Sequence, residues 1–142
     1  MKRLTEAKES VLSIKYYPDG QALKENPPRF TWVPSSSEDL HYRLQVSSSE
    51  EFKVEETEEF RNLPFNFFAP DCVMEPGTYY WRYSLDEDEE CSFSRARRFV
   101  IGEDALETPL PSREDRFAHV DMGHPRIWLN RERIEGFRKE LE

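Results

Sequence analysis

The sequence has few of the residues that build dedicated chemical sites. Of its 142 residues, 5 are glycine, 3 are histidine and 2 are cysteine. It contains no glycine-rich phosphate loop, no nucleophile elbow and no zinc-type cysteine and histidine spacing. Its carboxylates stand in runs such as Glu55-Glu56 and residues 86–90, which are typical of solvated loops rather than of buried pairs with shifted pKa values. The sequence therefore predicts no catalytic residue, no metal and no cofactor in this segment.

Positive charge is also in short supply. The chain has 20 lysine and arginine residues against 29 aspartate and glutamate residues, for a net charge of -9. Phosphate backbones attract basic surfaces, so we expect no nucleic-acid partner. The same charge repels anionic glycans, so a groove for such a polymer should lie outside this segment.

Long apolar runs are missing as well. No run approaches the roughly 18 residues of a membrane-spanning helix. The charged N-terminus, residues 1–11, lacks the apolar region of a signal peptide. We expect no membrane contact and a cytoplasmic chain as written, or a secreted or periplasmic one if an export signal has been removed.

The two cysteines are predicted to be free thiols. Cys72 and Cys91 flank a predicted strand that contains residues 79–85. Eight extended residues span about 26 Å, at ~3.3 Å each. Bridged cysteines have Cα atoms within about 7 Å of each other, so a disulfide does not fit this spacing.

Aromatic residues, in contrast, are plentiful. They make up 13% of a chain whose mean hydropathy is -0.85. The sequence therefore predicts a core built from a few large rings. From residue 11 to 101 apolar residues recur with a period of two in short runs separated by turn residues, which favours an antiparallel β-sandwich.

Alternation predicts which side chains of each strand point inward. The first predicted strand is 12–17, and the second, 29–33, turns Phe30 and Trp32 to one face. In the third, 41–47, Tyr42, Leu44 and Val46 are expected inward and His41, Arg43 and Gln45 outward. A further strand carries Phe65, Phe67 and Phe68, of which at least two rings are expected to be buried.

The stretch EPGTYYWRYSL predicts a central strand. Pro76-Gly77 forms a turn, after which Tyr79, Trp81, Tyr83 and Leu85 share one face and Tyr80 and Arg82 the other. Tyr79 stands two residues before Trp81, the spacing of a tyrosine corner, and Tyr80 is the competing candidate.

The last predicted strand returns from an acidic hairpin tip. Residues 86–90 form the tip, and Phe99 and Ile101 are expected to point inward. We expect Arg95, Arg97 and Arg98 to pair with the tip or with carboxylates of the neighbouring strand, and a glycan site is the alternative.

Three of these segments are similar in sequence to strands of a known type of module. NPPRFTW, HYRLQVS and EPGTYYWRYSL resemble the B, C and F strands of the fibronectin type III-like modules of bacterial multidomain proteins. The resemblance implies an all-β, immunoglobulin/fibronectin III-like antiparallel β-sandwich over residues 1–102, with a short C-terminal linker and helix.

The tail is a different kind of sequence. Residues 103–123 have the acidic, proline-containing composition of a linker. In 124–142, Asn130 is a suitable helix N-cap, and Ile134, Phe137 and Leu141 form an apolar stripe. We expect these residues to start a helical domain that continues beyond Glu142.

This tail resembles the junction in heparinase II/III-like polysaccharide lyases, through His124, Pro125 and Arg126 followed by the helix. The resemblance implies that a sandwich module precedes an α/α toroid, and that the parent protein cleaves uronic-acid-containing glycans by β-elimination. The family's catalytic residues lie in later domains, so none is carried over to this chain. The implied partners are the missing C-terminal domains of the same chain and a polysaccharide, and the fragment is expected to be a monomer.

The alternative is a self-contained fibronectin III-like module that binds a carbohydrate or a protein. Four residues are candidates for a glycan-binding aromatic platform or for a contact between domains: Tyr80, Arg82, Phe67 and Phe68. Inward packing or a domain contact is the favoured explanation of these residues.

Overall fold

The computed structural model describes residues 4–35, 40–88, 92–118 and 131–140. The chain divides into two compact units, residues 1–110 and residues 111–142. The first unit holds all the strands of the described residues, and the second holds the two α-helices. Each unit is described by itself.

The first unit is mostly β-structure, arranged in two sheets, which agrees with the predicted all-β sandwich. Its strands are β1 (Ala22–Asn26), β2 (Phe30–Thr31), β3 (Tyr42–Ser47), β4 (Thr57–Leu63), β5 (Phe67–Phe68), β6 (Gly77–Leu85) and β7 (Arg97–Glu107). A single 3-10 turn, Val54–Glu56, precedes β4.

The larger sheet has five strands in the order β1-β7-β6-β3-β4, and the smaller sheet pairs β2 with β5. All neighbours are antiparallel except β1 and β7, which are parallel, so the expectation of a purely antiparallel sandwich is wrong at this edge. The predicted strand over residues 12–17 is reduced to a bridge between Tyr17 and Thr31, beside the smaller sheet. The chain then crosses to the larger sheet at Gly20, whose φ of 88° is a conformation that favours glycine.

The core confirms the alternation predicted from the sequence. Phe30 and Trp32 from the smaller sheet's side pack against rings of the larger sheet, with ring centroids 5.4 Å apart for Phe30 and Trp81. Trp32 stacks on Tyr83 at 5.2 Å. Most of the remaining side chains predicted inward on β3, β6 and β7 are also buried: Tyr42, Leu44, Val46, Leu85, Phe99 and Ile101. Tyr79, also predicted inward, is half-buried.

Two side chains that alternation places outward are buried. Arg43 is covered because the chain after β6 folds back over it, and its Nη2 donates to the carbonyl of Asp88 at 2.6 Å. Ser84 is buried on the same side, where its hydroxyl donates to the carbonyl of Ser92 at 2.8 Å. Strand β7 begins at Arg97 and runs past Gly102, the predicted end of the sandwich, to Glu107, because β1 continues to pair with it there.

The second unit contains α1 (Arg113–Ala118) and α2 (Arg131–Glu140). Ser112 caps α1, since its Oγ accepts the backbone N–H of Asp115 at 3.0 Å. Helix α2 forms where the sequence predicts one. Its predicted cap Asn130, the side chain of Phe137, and Leu141 lie outside the described residues, as does the junction motif His124, Pro125 and Arg126. Among the described helices, none has the length and apolar character needed to cross a membrane.

Candidate functional site

The four candidate contact residues belong to two different sheets. Tyr80 and Arg82 point outward from β6 of the five-stranded sheet, since Trp81 and Tyr83, which alternate with them, point into the core. Phe67 and Phe68 form β5 of the two-stranded sheet. The four residues therefore cannot make one flat platform.

Arg82 is already covered by side chains of its own chain. Its guanidinium carbon lies 4.0 Å from the ring centroid of Phe52 and 4.2 Å from that of Phe93. Its Nε donates to Gln45 at 2.8 Å, and Gln45 donates in turn to Glu59 at 2.6 Å. Burial lowers the pKa of the guanidinium.

Phe52 reaches Arg82 from a strained backbone position. Its φ is 55°, in the left-handed region that bulky residues rarely adopt, and the residue is only 9% exposed. The contacts with Arg82 offset that strain. We call this outer surface of the larger sheet, formed by Phe52, Arg82 and Phe93, the covered face. Tyr80, also on the outer side of β6, is half-buried.

Phe68 faces the core. It pairs with the fully buried Phe30 across the smaller sheet, and its ring centroid lies 4.5 Å from that of Phe60. The residue is half-buried, so it is a packing residue of the sandwich rather than part of an open surface.

Phe67 and its neighbour Phe65 are exposed, 59% each, so the expectation that at least two of the three rings are buried is wrong. Their rings lie nearly parallel, at 11°, with centroids 5.5 Å apart. Asn66 between them points the other way, and its amide donates to the carbonyl of Trp32 at 2.8 Å. With Asn66 held inward by this bond, the rings on either side of it face solvent.

Tyr17 extends this apolar surface across the sheet. It is opposite Thr31, which is opposite Phe67, so the three side chains form a row across neighbouring strands. Tyr17 is 39% exposed. We call the surface formed by Tyr17, Phe65 and Phe67 the exposed aromatic face. Sequence reasoning missed Tyr17, which only the pairing of distant strands brings to this face.

Tyr79 makes the hydrogen bond expected of a tyrosine corner. Its hydroxyl donates to the carbonyl of Glu75, four residues earlier, at 2.9 Å. Its ring stacks on Phe99 with centroids 5.7 Å apart, and burial raises the pKa of the hydroxyl. This bond ties the turn before β6 to the strand.

The carboxylates that Arg95 and Arg97 contact differ from those predicted, which were the acidic tip or the neighbouring strand. Arg95 and Arg97 pair with Glu6 and Asp19, and Arg98 donates to the Thr78 hydroxyl at 3.5 Å. In the tip, Asp86 pairs with Arg61 at 2.8 Å instead, and Glu87 lies 3.5 Å from His41. The partners of Arg95 and Arg97 are carboxylates that are close in space but distant in sequence, because β7 lies against residues from the first part of the chain.

Groups suited to metal or thiol chemistry are sparse in the described part of the chain. Within it, no cluster of three or more histidine, cysteine or acidic side chains could hold a metal ion. Cys72 is a free, exposed thiol, as predicted, whereas Cys91 lies outside the described residues.

The chain was compared with protein-family models and with curated proteins. No protein-family model matches the chain, and no curated protein matches it.

Proposed function

We propose that this chain is a non-catalytic, fibronectin III-like N-terminal module of a larger heparinase II/III-like polysaccharide lyase. The observation that carries the proposal is the order of the two units. A β-sandwich unit ends near residue 110, and the helical segment after it contains α2 directly downstream of the sequence His124-Pro125-Arg126.

The strand pairing supports the fibronectin III-like type. In such sandwiches the second and fifth strands pair in one sheet, while the third, sixth and seventh lie in the other. Here β2 pairs with β5, and β7, β6 and β3 are neighbours in the larger sheet. The bond from Tyr79 to the carbonyl of Glu75 supports the same type.

A scaffolding role suits the chemistry of the surface. β-Elimination next to a uronate needs a base, an acid and a group that neutralises the carboxylate. In this proposal those groups belong to later domains of the parent protein, and the sandwich stabilises or positions them. The net charge of -9 disfavours independent binding of an anionic glycan.

The size of the native gene product tests the proposal. An antibody raised against this chain is used to probe an immunoblot of the source cells. A band several times larger than 17.0 kDa is expected, and the full-length protein should then release unsaturated uronate products from an acidic polysaccharide. A single band near 17.0 kDa contradicts the proposal.

The exposed aromatic face favours a second candidate function, a self-contained module that binds carbohydrate or protein. Exposed, adjacent aromatic rings are common at binding surfaces, and sugar rings stack on such faces. Titration of the isotope-labelled chain with neutral oligosaccharides tests it by NMR. Shifts at Phe65 and Phe67 that vanish in Phe67→Ser but persist in Tyr80→Ser are expected, and a titration without any shift contradicts a carbohydrate ligand.

A further inference from the structure

The N-terminal segment, residues 4–9, is held against the sandwich by a small number of contacts. It has no regular secondary structure, and Thr5, Ala7, Lys8 and Glu9 are exposed. Leu4 packs on the core, and two hydrogen bonds join the segment to Tyr16: the Tyr16 hydroxyl donates to the carbonyl of Ala7 at 2.7 Å, and Glu9 accepts the Tyr16 backbone N–H at 2.8 Å. We call residues 4–9 the strap.

Below the strap lies a buried cation. The side chain of Arg97 is 0% exposed, and its guanidinium carbon lies 3.9 Å from the ring centroid of Tyr16 and 5.4 Å from that of Trp81. A buried guanidinium without an anion carries a large desolvation cost. Strand β7 therefore presents a charge that requires a negative partner.

The strap supplies that partner through Glu6. One oxygen of the Glu6 carboxylate accepts from Nη2 of Arg97, and the other accepts the backbone N–H of Arg95 at 3.0 Å. Nε of Arg95 lies 3.9 Å from the same carboxylate. A backbone donor, a buried guanidinium and a second guanidinium converge on one carboxylate, which is the donor set of a carboxylate receptor.

The site has a hydrogen-bond donor without an acceptor, and an open cleft adjoins it. Nε of Arg97 is buried and makes no hydrogen bond, and it lies 3.8 Å from a carboxylate oxygen of Asp19. Asp19 is itself held by Arg95. A cleft of about 480 Å³ adjoins these groups, with Lys8, Glu9 and Tyr16 also in its wall.

We propose that the pocket formed by the Arg97 guanidinium and the Arg95 backbone N–H is a carboxylate-binding site, which Glu6 occupies as an internal ligand that an external carboxylate can replace. The proposal does not depend on the lyase assignment. Segments with few buried apolar contacts open at low free energy, so the strap is the part of the sandwich suited to leave. In the intact chain Glu6 competes with any external carboxylate. The apparent affinity of the site for the external carboxylate is therefore reduced in proportion to the fraction of molecules in which the strap is open.

Removal of the internal ligand tests the proposal. Glu6→Ala should lower Tm by about 5 °C, because Arg97 loses its partner. Sodium acetate in the millimolar range should restore most of that loss in Glu6→Ala, whereas sodium chloride and sodium sulfate at matched ionic strength should not. The unaltered chain should gain little from acetate, since its site is filled.

Two matched variants make the test specific. Glu6→Gln keeps the shape of the side chain in the pocket, so acetate should rescue it much less than Glu6→Ala. Glu9→Ala removes the strap's other carboxylate, which accepts the Tyr16 backbone N–H and pairs with Lys15 rather than occupying the pocket, and acetate should leave its Tm unchanged. If Glu6→Ala does not fold without acetate, the same titration is run as refolding from urea, with tryptophan fluorescence as the readout.

Acetate-dependent recovery of Tm or of refolding, confined to Glu6→Ala, supports the site. Equal recovery with chloride or sulfate overturns it, because that result would reflect screening of surface charge. Absence of recovery in both assays also overturns it and leaves the Arg97–Glu6 pair as a structural contact only.

Discussion

The two outer faces of the sandwich treat aromatic residues in opposite ways. On the covered face, Phe52 and Phe93 lie against the guanidinium of Arg82. On the exposed aromatic face, Phe65 and Phe67 stack on each other and stay 59% exposed. The contrast indicates that an aromatic ring at an outward strand position becomes structural when a loop with a matching cation or ring returns over it. Where no such loop returns, the ring stays available for a partner.

Both faces rest on one common core, and Trp81 lies within it. Trp81→Ala should lower the free energy of unfolding by about 3–5 kcal/mol, because it leaves a cavity between Phe30, Trp32 and Tyr83. It also leaves the carbonyl of Pro18 without the indole donor at 2.7 Å. Urea unfolding followed by circular dichroism measures the change. Trp81→Phe is the control and should cost about 1–2 kcal/mol, and equal costs for the two variants would contradict the cavity argument.

The covered face should be weakened by loss of its own ring. Phe52→Ala should cost about 2 kcal/mol, because it removes a buried ring and one of the two cation–π contacts of Arg82. Urea unfolding of the variant and of Arg82→Ala measures the contribution of each partner. The double variant should lose less unfolding free energy than the sum of the two single-variant losses, since both substitutions remove the same contact. Full additivity would show that the ring and the guanidinium do not interact.

The tyrosines inside the sandwich should make its stability depend on alkaline pH. Burial and the contact with Tyr16 raise the pKa of Tyr83 above its ordinary value of 10.0, and burial raises that of Tyr16 in the same direction. Above pH 10 the unfolded chain loses these protons first. The stabilisation is therefore complete below the unfolded pKa and declines as pH rises through the interval between the unfolded and folded values.

Tyr83→Phe provides the measurement for this pH effect. The difference in unfolding free energy between pH 8 and pH 11 should be smaller in the variant than in the unaltered chain, because the Tyr83 hydroxyl, whose pKa is raised in the folded chain, is gone. Urea titrations at the two pH values test this. An unchanged difference would mean that the Tyr83 hydroxyl does not contribute to the alkaline loss.

The exposed aromatic face should show the smallest effect on folding. Phe67→Ser and Phe65→Ser should each change the unfolding free energy by no more than about 0.5 kcal/mol, since neither ring lies in the core. Both should reduce binding of a hydrophobic dye or of a stacking ligand. The comparison of the two faces fails if Phe67→Ser destabilises the chain as much as Phe52→Ala.

Much of the sandwich could be predicted from local patterns. Alternation correctly assigned Tyr42, Leu44 and Val46 inward, and it gave the right face for Trp81 and Phe99, because successive side chains of a strand point to opposite sides. The same rule failed for Arg43, which alternation turns outward, because the turn after β6 covers that side of the sheet. The parallel pairing of β1 with β7 could not be predicted either, since the register of distant segments has no local signal.

The candidate site was less predictable than the fold. The sequence favoured inward packing or a domain contact for Phe67, whose ring is exposed, and it grouped Phe67 with Tyr80 and Arg82, which lie on the other sheet. It also assigned Arg97 to the acidic tip or to carboxylates of the neighbouring strand, whereas the buried guanidinium pairs with Glu6 from the strap. Each error concerns a partner distant in sequence.

The amino-acid sequence by itself determined a chain of short β-strands with a core of large rings, because the period of two and the turn residues act over a few neighbouring residues. Only the tertiary structure decided which outward rings are covered and which carboxylate reaches Arg97. The physical reason is that these choices depend on which loop or terminal segment closes over a surface. That closure is set by the sum of many contacts between residues far apart along the chain.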